Sequence, residues 1–332
     1  MEKVFKSMTT LIDVHHHILP AHYVEQVGAA KIGAQGSSGR VPEWSVADAL
    51  RRMDTHGVRA AVTSVTSPGI SLSDKQARAT LARWCNDFAA RLTVDHPGRF
   101  GLFATLPMPD VDDVLREIEF AYDECSADGI CLLTNYDGLY ADDSRFRPIY
   151  EELNRRGSVV FVHPTMPPNM APVGGLSAST LEFTFDTTRA IAGVIFGGVT
   201  RDFPRIRFIF SHAGGAMPFL AERIELLTRN NPRLREFIPR GITAELRRMY
   251  FDTALSAHRA QFAALMTTVP ADNVLFGSDY PFGPPNQVEE AVMGLRGLHL
   301  PADALRRIES DNALMLFPRF ATAFKESEGR KS

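Results

Sequence analysis

A closed (β/α)8 barrel, with a small insertion after its first strand and helices at its C-terminal end, is the fold this sequence predicts. Three observations predict it. Eight short runs rich in apolar and β-branched residues recur along the 332 residues, each followed by a stretch of helical period. The runs are near-continuously apolar, which suits parallel strands buried on both faces. No Gly-x-Gly-x-x-Gly follows the first run, which weakens the alternative, an open doubly wound sheet.

The predicted strands span residues 11–17, 58–65, 100–106, 129–135, 158–164, 207–213, 249–255 and 273–280. The helix over 45–56 sets Val46, Leu50 and Met53 on one face. A long helix over 73–96 is ended by Pro97-Gly98, and one over 110–125 opens on Asp110, a capping residue. Further helices are predicted over 145–156, 180–202, 217–229, 257–268 and 287–298, with two short ones over 302–317 closing the chain. The Gly/Ser-rich segment 21–43 reads as an insertion over the barrel mouth. Residues 1–10 read as an N-terminal extension, 11–320 as one barrel domain and 321–332 as a polar, frayed tail.

Composition excludes several classes. A net charge of −3 gives no basic surface for nucleic acid or an acidic membrane. The three cysteines Cys85, Cys125 and Cys131 form no Cys-x-x-Cys, which argues against a disulfide scaffold or a cysteine zinc site. A reducing, cytoplasmic setting fits, and the first residues carry no signal-peptide pattern. The uncharged run 157–181 is broken by prolines and glycines and is no membrane span.

In such a barrel the chemistry sits at the C-terminal ends of the strands. There the first run ends in His15 and His17, the fifth in His163, the sixth in His212 and the eighth in Asp279, and the seventh carries Asp252. On a strand, His15 and His17 point to one side and His16 to the other, so His16 is expected to be no ligand. Four of ten histidines at matching strand ends point to a metal. Three imidazoles and a carboxylate leave a position open for water or substrate, as in catalytic sites. The fourth run lacks a lysine that could bridge two metals once carboxylated, so one ion is expected, zinc or alternatively manganese. His56, His96 and His299 read as solvated. Asp252 reads either as an orienter of a ligand histidine or as a barrel-core hydrogen bond.

Four stretches carry a family resemblance: Ile-Asp-Val-His-His-His-Ile-Leu-Pro, Phe-Val-His-Pro, Ser-His-Ala-Gly-Gly-Ala-Met-Pro-Phe-Leu-Ala-Glu-Arg-Ile and Val-Leu-Phe-Gly-Ser-Asp-Tyr-Pro. Together they resemble the amidohydrolase superfamily, and within it the aminocarboxymuconate-semialdehyde decarboxylase-like branch, which includes γ-resorcylate and 6-methylsalicylate decarboxylases. The resemblance implies His15, His17, His163 and Asp279 as metal ligands and His212 as the group that polarises water or substrate. It implies that Arg223 reaches the substrate of a neighbouring subunit, hence a homodimer or homotetramer; a solvated helix arginine is the other reading of Arg223. The loop 165–179 has no tryptophan, where the semialdehyde decarboxylase carries one. Its Met, Pro and Leu content suits a phenolic ring.

The expected activity is therefore non-oxidative decarboxylation of a small salicylate-type acid, with Asp279 as proton donor and His212 steering proton traffic. A lactone, ester or amide hydrolase on the same barrel is the alternative. A catalytically inactive binding barrel is disfavoured, because no ligand is missing. Arg40 and Phe183 are candidate substrate contacts, although a surface arginine and a packing phenylalanine are their plainer readings. His22, His258, Trp44 and Phe185 are weaker candidates near the mouth.

Overall fold

The computed structural model describes residues 10–170 and 173–329. Most of the expected N-terminal extension, Ala171 and Pro172 of the loop 165–179, and the last three residues lie outside the described residues.

Eight strands run parallel in one sheet: β1 (Leu11–Ile18), β2 (Val58–Val65), β3 (Phe100–Thr105), β4 (Gly129–Leu133), β7 (Val159–His163), β8 (Arg207–Phe210), β9 (Tyr250–Asp252) and β10 (Val274–Leu275). The ring closes where the chain beyond β10 returns to β1: Val14 N–H donates to Phe276 O at 2.9 Å and Asp279 N–H to His15 O at 2.8 Å. Each strand is buried on both faces, as the unbroken apolar runs require. One apolar layer lies between strands and helices, and a second fills the barrel interior.

The last strands are shorter than predicted. β8 ends at Phe210, β9 at Asp252 and β10 at Leu275, because the residues beyond them leave the ladder to carry the site. A two-stranded hairpin, β5 (Asn135–Tyr136) and β6 (Leu139–Tyr140), stands where the fourth run was expected to end, turned by Asp137-Gly138 with both residues at positive φ.

Helices fall where periodicity placed them, with three physical differences. Asp110 occupies the N-cap of Val111–Asp123 without capping it; its carboxylate pairs with Lys75 Nζ at 2.8 Å instead. The helix expected over 180–202 is two, Glu182–Phe196 and Val199–Asp202, broken at Gly197-Gly198. The tail expected to be frayed from residue 321 is helical, Pro318–Gly329, because Phe320 and Phe324 are drawn into the barrel floor. Within the 21–43 insertion lie two short helices, Ala21–Val27 and Ala29–Gly33.

Candidate metal centre

The site begins with a break in strand alternation. Ile12 and Val14 pack into the barrel interior, yet so do the imidazoles of His15 and His17. The parity switches because β1 bulges between Asp13 and His16. Asp13 holds the bulge: its Oδ1 accepts from the backbone of His15 and of Ser278, each at 3.0 Å. Its Oδ2 meets the Nδ1 of His16, 3.1 Å away, so His16 is turned out of the cluster and packs on Tyr280.

Four donor atoms converge. One each from His15, His17, His163 and Asp279 lies within 4.8 Å of the others, and all four residues are buried. His15 Nε2 is 3.0 Å from His17 Nε2 and 3.0 Å from Asp279 Oδ1, and His17 Nε2 is 3.1 Å from the same oxygen. Each imidazole is anchored through Nδ1: His15 by Asp252 Oδ2 at 2.7 Å, His17 by Ser64 Oγ at 3.0 Å and His163 by Pro164 O at 2.7 Å. His212 is anchored likewise by Ala254 O at 3.0 Å. A carbonyl only accepts, so His163 and His212 each donate from Nδ1; burial keeps His163 neutral, with a bare Nε2. Bare nitrogens and an anionic oxygen at this spacing repel unless positive charge lies among them. Bonds of about 2.1 Å to one zinc-like ion would set tetrahedral donors roughly 3.4 Å apart, so the cluster fits a divalent cation.

The electrostatics agree. Burial alone would push His15 down, but the carboxylates of Asp252 and Asp279 on either side pull it up to about 10. A proton there stands in for the cation. Burial lowers His17, and it drives His163 well below its ordinary value with His17 and His15 beside it. Burial alone would raise Asp279, yet the adjoining His15 and His17 hold its carboxyl well below the usual carboxylate range.

The surrounding backbone is fitted to these groups. His212 and Asp279 both adopt positive φ, 53° and 62°, a strained setting for non-glycine residues. A side chain at Gly277 would come within 2.8 Å of His15 Cβ and 3.1 Å of Asp252 Cβ, so only glycine lets the chain pass here. Asp252, itself buried, also accepts from the backbone of His212 at 2.9 Å through Oδ1. It thereby ties both histidines together.

Above the cluster lies a cavity of about 250 Å³, with His163, His212 and Asp279 in its wall. Gln35, Thr66 and Ser67 line one part, Phe183 and Thr184 another, and Phe282 closes a third. Among the described lining residues there is no lysine or arginine. Phe183 lines the cavity with its ring 6.2 Å from that of His163. Phe185 is exposed. Arg40 is exposed and outside the cavity lining, which does not support the expected substrate contact, because the chain leaves the cavity after Ser37. Arg223 is exposed on the outer helix Met217–Thr228 and does not line its own chain's cavity. His22 leans on Trp84 at 4.6 Å, and His258 is exposed. Trp44 packs on Phe88. His56 and His96 are half-buried rather than solvated, while His299 is exposed.

Sequence reasoning missed Ser64 and Gln35. Ser64 was within reach: Ala60 and Val62 point into the barrel, and Ser64 is the next residue of that alternation, at a strand end. Gln35 gave no such signal, since it follows a helix in an irregular turn.

The profile of a family described as amidohydrolase matches residues 12–319. The chain is similar to 6-methylsalicylic acid decarboxylase of Penicillium expansum, 35% identical over 316 residues that cover 93% of this chain and 96% of that protein. It is also 35% identical to decarboxylase yanB of Aspergillus niger over 328 residues, 93% of this chain and 88% of that one. A solved structure described as amidohydrolase II superposes with a TM-score of 0.83 at 26% identity, covering 92% of this chain and 99% of its own.

Proposed function

The chain belongs to the amidohydrolase family, and from that premise we propose that it is a metal-dependent, non-oxidative decarboxylase of a small phenolic acid of the salicylate type. The observation that carries the reading is the His15–His17–His163–Asp279 cluster at the wall of a cavity otherwise without charge. An aromatic acid is anionic, and with no lysine or arginine among the described lining residues, the ion held by that cluster supplies the positive charge for it. The relatives named as decarboxylases of this substrate class, aligned over nearly the whole chain, support the same reading.

His15, His17, His163 and Asp279 hold the ion; zinc suits three imidazoles and a carboxylate, and manganese is the alternative. When bound, it supplies a Lewis acid and a template for the carboxylate and the adjacent phenol oxygen. The chain's own groups then manage one proton. Asp279 is held anionic by its histidine neighbours, so it begins as a base and takes the phenol proton of the arriving acid. It returns that proton to the ring carbon bearing the carboxylate. The carbon–carbon pair stays with the ring, CO2 leaves, and the phenolate product recovers a proton from solvent. His212, locked by Ala254 O with Nε2 free, orients the substrate carboxylate or the proton path. Phe183 and Phe282 provide apolar walls for the ring.

Released CO2 from 2-hydroxy-6-methylbenzoate is the test. Purified protein is expected to release one CO2 per acid, and to stop when the metal is chelated and resume when it is restored. Acid release from lactones without CO2 from any hydroxybenzoate would overturn the decarboxylase and leave a hydrolase. Arg223 is proposed to act only across a subunit boundary, in a homodimer or homotetramer, since its own cavity is out of its reach.

A further inference from the structure

An arriving salicylate-type acid brings a carboxylate and at least one ring oxygen, all of them hydrogen-bond acceptors. Apart from the histidine–aspartate cluster and His212, the described lining residues carry no charged side chain, and one of their donors is held in a fixed direction. Gln35 is 8% exposed and lines the cavity. Its Oε1 lies 2.9 Å from Ser67 Oγ and 3.3 Å from the backbone nitrogen of Met166. A backbone N–H only donates, so the amide atom facing it is the oxygen. The orientation of the amide follows from chemistry rather than from choice. Ser67 is in turn 2.7 Å from Thr165 Oγ1, and Thr165 N–H donates to Thr134 Oγ1 at 3.1 Å. The anchor therefore runs from the end of β2 to the loop after β7 and the end of β4. Among the described residues the Nε2 of Gln35 meets no acceptor. A donor that no acceptor of the described chain meets, on a side chain that lines the cavity, is left for a bound molecule to satisfy.

We infer that Gln35 is a substrate-recognition residue whose amide N–H donates to an oxygen of the bound aromatic acid. This rests on the aromatic-acid reading above. The acceptor is either the carboxylate or an oxygen substituent on the ring, and both offer the same lone-pair chemistry.

Two variants separate recognition from scaffolding. Gln35→Glu keeps an oxygen for Ser67 and Met166 but removes the donor. Gln35→Met removes both without adding charge. KM and the Kd from calorimetry are read across 2-hydroxybenzoates with and without a second oxygen substituent, with the melting temperature read alongside. Both variants are expected to raise KM and Kd by about tenfold or more, the loss of one hydrogen bond to a charged partner, while Gln35→Glu melts as the wild type does. A rise common to all the acids assigns the donor to the carboxylate; a rise confined to acids with the extra oxygen assigns it to the ring. Wild-type KM and Kd in Gln35→Met overturn the inference alone. A wild type that binds and turns over none of these acids overturns the decarboxylase reading, and this inference with it.

Discussion

At one end of the barrel Phe317, Phe320 and Phe324 of the C-terminal segment fill the space between the strands, against Phe103 and Phe161. At the other end the same strands present His15, His17, His163 and Asp279. Both sets are buried, with Phe320 and His15 each 0% exposed. They differ in what burial costs. The phenylalanines gain from it outright. The imidazoles and carboxylate lose hydration and recover it only through anchors such as Asp252 and Ser64, and through positive charge placed among them. The floor therefore contributes stability and the mouth contributes chemistry at some cost to stability.

That division can be broken by substitution. The largest effect is expected at the mouth. Asp279→Asn removes the proton carrier and one ligand, so turnover should fall to background while circular dichroism shows a folded barrel. Wild-type turnover in this variant would remove the mechanism. Next comes the floor. Phe320→Ala should destabilise by about 3–5 kcal/mol, seen in denaturant unfolding, with kcat of the folded fraction and metal content unchanged. A lost metal there would show that the two ends are not separable. Asp252→Asn tests the anchor between them. It should weaken metal affinity by about 10–100-fold in a competition titration, with little change in melting temperature.

The smallest effect lies in the outer wall, at neither end. Burial raises the pKa of Glu117 despite Asn86 and Arg83 beside it. A carboxyl with a raised folded pKa opposes folding when ionised, and that opposition fades as pH falls through the folded value toward the unfolded one. Wild type should therefore gain slightly on Glu117→Gln between pH 7 and 4.5, measured as the difference in thermal midpoints. A constant difference would contradict the sign.

The same contrast explains what could be read in the sequence. The strands were legible because burial on both faces leaves unbroken apolar runs, and the ligands because a histidine ending such a run is conspicuous. The bulge at Asp13–His16 was not legible. Spacing alone puts His15 and His17 on one face, but it does not show that Ile12 and Val14 share the interior with them. The floor was missed because Phe320 and Phe324 sit among polar residues that read as a tail. The Asp137-Gly138 turn was written in the sequence, but its strands of two residues each are too short for periodicity to detect. Gln35 was invisible because its role comes from Met166, 131 positions away.

One measurement bears most directly on the central claim that four side chains share one ion: metal content of the purified protein, joined to X-ray absorption at the edge of the metal found. The account predicts one divalent ion per chain with nitrogen and oxygen neighbours at about 2.0–2.2 Å, lost in His15→Ala. A protein that turns over phenolic acids without a stoichiometric metal, or whose metal survives that substitution with sulfur neighbours, would contradict it.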